Sequence, residues 1–111
     1  MSIIKEILIY KTSSNKSPFL YWLNKLDPKT RAIVRTRIER VRLGNLGDTK
    51  LIKNGNGIFE LRIDFGSGYR IYFGKYNNSI IILLLGGDKK SQTRDIEKAK
   101  NQWLDCKDKY E

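Results

Sequence analysis

Residues 59–90 read FELRIDFGSGYRIYFGKYNNSIIILLLGGDKK. Phe59, Leu61, Ile63 and Phe65 alternate with Glu60, Arg62 and Asp64, and Tyr69, Ile71 and Phe73 alternate with Arg70, Tyr72 and Gly74. A period of two marks half-buried strands, and the Gly66-Ser67-Gly68 turn joins them as a hairpin. Placing Phe65 opposite Tyr69 sets Ile63 against Ile71 and Leu61 against Phe73. The other face then sets Asp64 against Arg70 and Arg62 against Tyr72. A one-residue slip would oppose apolar and polar residues. In this register Arg62 and Arg70 are diagonal neighbours, about 7–8 Å apart at the backbone, so both can reach one phosphate. The competing reading is a solvated sheet face with ordinary surface charge.

Beyond the hairpin, Ile80–Leu85 has no polar face, which predicts a central strand covered on both sides. Gly86-Gly87 ends it, and a last helix is expected from Ser91 or Thr93 to about Lys107. Ile96, Ala99, Trp103 and Cys106 repeat there at helical spacing, so Cys106 reads as a core residue. Upstream, residues 3–10 read as a first strand rather than a signal peptide, because Lys5 and Glu6 interrupt the apolar run. Ser17-Pro18 and Asp27-Pro28 are helix starts, with proline at the first helical position. Phe19, Trp22, Leu23 and Leu26 define one helix face, and a second helix should run to about Leu43. Leu51-Ile52 is a candidate short strand.

The 111 residues suit one domain, 1–111, and carry a net charge of +10 from 22 basic and 12 acidic residues. That charge points to a polyanionic partner. With one cysteine and no histidine, an internal disulfide and the usual N/S zinc site are excluded. No apolar run approaches the ~20 residues of a membrane helix, and a cytoplasmic protein is the simplest fit. On the second helix, Arg31, Arg35 and Arg42 fall beside the Val34, Ile38 and Val41 stripe. They form either a basic ridge for a partner or a solvated face.

The chain resembles the RelE/ParE superfamily of type II toxin–antitoxin toxins, and more narrowly its HigB-like "addiction module killer" branch. The motifs are FLYWLNKL at 19–26, GNLGD at 44–48, ELRIDFGSGYRIYF at 60–73 and LLLGGDKKSQTRDIEKA at 83–99. The resemblance implies an α+β, RelE-like fold: an antiparallel sheet of four or five strands, an N-terminal helical hairpin packed on it, and a C-terminal helix. It implies a toxin without metal or cofactor, acting as a ribosome-associated mRNA endoribonuclease by 2′-hydroxyl attack. ParE-type members instead inhibit DNA gyrase, and a non-catalytic basic RNA-binding module is a third reading; fold alone does not choose. Expected partners are mRNA, the ribosome and a cognate antitoxin, a small helix-turn-helix protein, with no membrane.

Such cleavage needs a base, cations for the phosphate and an acid. By resemblance Arg70 is the phosphate-contacting arginine, Arg62 a basic strand residue, and Lys89 or Lys90 the basic residue after the central strand. Glu60 and Asp64 are the candidate bases, or else salt-bridge partners of Arg62 and Arg70. Lys53, Tyr72, Lys90 and Arg94 are assigned to RNA, with Tyr72 and Tyr76 as candidate stacking rings. Arg31, Arg35 and Arg42 are assigned to the antitoxin.

Overall fold

A computed structural model of the chain describes residues 4–110, with side chains described through residue 108. The order is β1 (Glu6–Ile9), α1 (Pro18–Lys25), α2 (Pro28–Arg42), β2 (Thr49–Leu51), β3 (Ile58–Ile63), β4 (Tyr69–Tyr76), β5 (Ile80–Asp88) and α3 (Gln92–Tyr110). The first strand is thus shorter than residues 3–10, and Ile3 lies outside the described residues. Both proline-marked helix starts form as read. Ser17 Oγ accepts from the Leu20 N–H at 3.1 Å, and Asp27 Oδ2 accepts from the Thr30 N–H at 3.1 Å.

The strands form one α+β sheet in the order β1-β5-β4-β3-β2. Four strands pair antiparallel as expected, but β1 joins β5 in parallel, so the sheet is mixed. β1 reaches that place across the whole helical hairpin and three strands. Its residues alternate: Ile7 and Ile9 pack with α1 and α2, while Leu8 and Tyr10 pack toward α3. β5 sits between β1 and β4, with Ile81 to Gly87 buried. A bulge opposite Tyr72/Phe73 lets Leu84 and Leu85 both join the α3 side.

The sheet therefore has two cores. Leu61, Ile63, Ile71 and Phe73 meet Phe19, Leu23, Val34 and Val41 of the helical hairpin. Ile58, Tyr72, Ile82 and Leu84 meet Ala99, Trp103 and Cys106 of α3 on the other face. The β3–β4 face read as polar lies under α3 over much of its length. At Gly74 the Trp103 ring lies directly on the backbone, and a Cβ there would overlap the ring. Trp103 is buried in the α3-side core. Gly74→Ala is expected to cost roughly 1–3 kcal/mol by overpacking, seen as a lower urea midpoint at unchanged slope.

The hairpin register differs from the expected one by two residues. Ile63 faces Tyr69, Leu61 faces Ile71, Arg62 faces Arg70 and Glu60 faces Tyr72. A shift of two keeps every side chain on its own face, so face matching could not detect it. The connection decides it: residues 64–68 lie outside the strands, with Gly66 at φ 59 and Gly68 at φ 90. Those left-handed values suit glycine and close a longer loop than a three-residue turn.

Candidate active site

Because Arg62 and Arg70 are directly opposed, two like charges sit where they repel most strongly across a strand pair. Glu60 compensates them. Its carboxylate is fully buried, with Oε2 3.4 Å from Arg70 Nε and Oε1 3.8 Å from Arg62 Nε. Gln92 at the start of α3 donates from Nε2 to Oε2 at 2.8 Å. Beside Glu60 lies Tyr72, also fully buried. Burial, with the carboxylates of Glu60 and Asp95, holds its phenol far above the ordinary tyrosine range. Tyr72 thus stays a neutral phenol through any physiological pH. Glu60 Oε1, Arg70 Nε and Tyr72 Oη make no well-formed hydrogen bond, so the cluster is close-packed yet polar and unsaturated.

Above this cluster opens a cleft of about 410 Å³ lined by Asp48, Arg62, Asp64, Tyr69, Arg70, Lys89 and the 66–68 loop. Arg62 is 42% exposed at its side chain and Arg70 only 12%. Lys89 arrives because Tyr69 pairs with Asp88, which places the next residue at the glycine loop. The corner is held by Asp88 Oδ1, which accepts the Lys90 N–H at 2.9 Å and the Ser91 N–H at 3.0 Å. Three cations and two accessible carboxylates thus share one opening. The cations suit a phosphate, and the carboxylates suit a proton acceptor beside it.

The fold brings Arg62, Arg70 and Lys89 together over Glu60. It corrects several expectations around them. Glu60 has no exposed oxygen and sits as a counter-ion beneath the guanidiniums; the accessible carboxylate of the pair is Asp64. Asp64 does not oppose Arg70, since the strand pairing ends at Ile63 and Tyr69. Tyr72 offers no ring face to solvent and cannot stack on a base. Lys53 is exposed in the β2–β3 turn, at the opposite end of β3 from Arg62. Lys90 lines an adjoining hollow with Ser67, Asp88 and Lys89, and Arg94 lines another between α1 and α3.

Asp48 and Tyr69 also line the cleft, and neither is among the site residues expected from the sequence. Asp48 Oδ1 lies 3.8 Å from Arg62 Nε, and its carbonyl accepts the Arg62 N–H at 2.9 Å. Its only sequence signal was membership of the GNLGD turn. On α2, the arginine row is partly consumed by the fold. Arg31 donates to the Leu26 carbonyl at 2.9 Å, closing the end of α1, and Arg42 pairs with Glu39 at 2.6 Å. Arg35 is exposed and forms no ion pair among the described residues.

The profile of the phage-derived Gp49-like family (DUF891) matches residues 21–103, three quarters of the chain and all of the cleft. The chain belongs to this family. It is a RelE-like toxin family of toxin–antitoxin systems. An uncharacterized protein of Haemophilus influenzae is 49% identical over 80 residues, which are 71% of this chain and 79% of that protein. Among the described residues of this Gp49-like protein, no helix is long and apolar enough to cross a membrane.

Proposed function

We propose that this Gp49-like protein is the toxin of a type II toxin–antitoxin pair of the HigB-like branch. In this reading it acts in the cytoplasm as an endoribonuclease on ribosome-bound mRNA, and the cleft is its active site. The observation that supports this most is the convergence of Arg62, Arg70 and Lys89 from three chain segments on one opening that also holds an accessible carboxylate. In the reaction, Asp64 takes the 2′-hydroxyl proton and O2′ attacks the adjacent phosphorus. The P–O5′ bond breaks, leaving a 2′,3′-cyclic phosphate. The departing 5′ oxygen takes its proton from an acid at the cleft mouth, where Tyr69 and Lys89 stand. Arg62 and Arg70 stabilise the extra negative charge on the phosphate.

Arg62→Ala is the direct test, because this side chain is exposed enough to be truncated without opening the core. It should slow cleavage roughly 100–1,000-fold and abolish growth arrest. The readout is mapping of mRNA 5′-hydroxyl ends after induction. Early DNA breaks and an SOS response with intact mRNA would replace this reading with gyrase inhibition.

The antitoxin is expected to approach α2 at the exposed Arg35. Arg35→Glu should slow association with the cognate antitoxin, proposed to be a small helix-turn-helix protein, and reduce the salt dependence of that step. Arg31→Glu would instead damage the α1–α2 junction. Unchanged association kinetics for Arg35→Glu would assign α2 no part in antitoxin capture.

A further inference from the structure

Away from the cleft, two helical rows face each other across the end of β5. Tyr21 and Lys25 stand one turn apart on α1, and Arg94 and Lys98 stand one turn apart on α3. Together they line a hollow of about 520 Å³. Tyr21 is 66% exposed, unusual for so large a ring, and Lys25 Nζ lies 4.2 Å from its centroid. None of Lys25, Arg94 and Lys98 forms an ion pair among the described residues. The two carboxylates in the hollow are turned to structural work. Asp88 caps the corner before α3, and Asp95 is buried, accepting from the Ser91 hydroxyl.

Shared lining residues connect this hollow to the cleft. Ser67 and Lys89 line both the cleft and an intermediate hollow, and Asp88 lines both that hollow and the one between the helices. Tyr21 in turn separates it from a further hollow beside Lys16. Cations recur along the whole path, and it ends on an exposed aromatic face. Backbone-tracking cations with a stacking ring are what a single-stranded nucleic acid requires. An acidic peptide would use the cations but gain little from the ring.

We infer that the groove between α1 and α3 is a binding track for single-stranded RNA flanking the cleft, with a nucleobase stacked on Tyr21 and backbone phosphates on Lys25 and Lys98. The inference rests on the endoribonuclease reading of the cleft and extends it to a second subsite.

The test is equilibrium binding of a fluorescent, unstructured oligoribonucleotide to the whole chain over a range of salt. Poly-L-glutamate is titrated in parallel, and melting curves check that each variant is folded. Tyr21→Ala should weaken RNA binding roughly 5- to 150-fold, the loss of one stacked base. Lys25→Ala with Lys98→Ala should lower the salt slope by about 1.4, two phosphates at ~0.7 each. If Arg62→Ala weakens binding while the Tyr21 and Lys25/Lys98 variants bind like wild type, the track is overturned and the cleft stands. If the wild-type chain binds no RNA at low salt, the track is overturned, and mapping of mRNA 5′ ends still decides the cleft. Equal affinity for poly-L-glutamate, with no effect of Tyr21→Ala, would overturn the track in favour of an acidic polypeptide surface.

Discussion

Glu60→Ala should destabilise the fold by about 3–5 kcal/mol, a large share of the 5–15 kcal/mol that holds a typical domain together. Glu60 is fully buried between two arginines that face each other across β3 and β4. Removing it leaves the Arg70 guanidinium, 12% exposed, without its counter-ion and beside a like charge. It also strands the amide of Gln92. Glu60→Gln should cost less, because the amide oxygen can still accept from Gln92 and the volume is kept. Urea unfolding of the three proteins measures the order. A Glu60→Ala unfolding free energy within about 1 kcal/mol of wild type would mean that the carboxylate does not hold the guanidiniums in place.

Arg70→Ala should lose both activity and stability, and the two losses should separate. Cleavage should fall roughly 100–1,000-fold if Arg70 stabilises the charged phosphate. Stability should fall as well, by up to about 3–5 kcal/mol, because truncation leaves the buried Glu60 with only the more distant Arg62 as counter-ion. A strand arginine on an open polar face could be truncated with loss of charge alone, but the Arg70 side chain is only 12% exposed. Adding Glu60→Gln to Arg70→Ala removes the orphaned charge, so the double variant should recover much of the stability and none of the cleavage. A double variant as unstable as the sum of its parts would show the two residues to be energetically independent. A folded Arg70→Ala protein that still cleaves at the wild-type rate would remove Arg70 from the reaction.

Much of this molecule was written locally. Ser17-Pro18 and Asp27-Pro28 start their helices because capping and a fixed φ are properties of adjacent residues. The period of two in residues 58–74 set which side chains share a face, and the unbroken apolar run 80–85 marked the central strand. The grouping of Arg62 and Arg70 followed from that alternation, whereas Lys89 or Lys90 was implied by the family resemblance. What no local pattern carries is the identity of the partner across space. The hairpin slid by two residues because a period of two is blind to that shift, and the positive-φ glycines of the loop chose between registers. β1 paired in parallel because its neighbour is some seventy residues away in sequence, beyond the reach of any turn signal. Arg31 was spent on the Leu26 carbonyl, and Asp48 arrived beside Arg62, through contacts between separate elements. The decisive event is α3 laying Ala99, Trp103 and Cys106 over the face that carries Glu60 and Tyr72. Alternation says that a strand has two faces; only the packing of another element determines whether a polar face meets water or a helix. That helix turned an apparent surface ion row into a buried carboxylate with two guanidiniums aimed from it into a cleft.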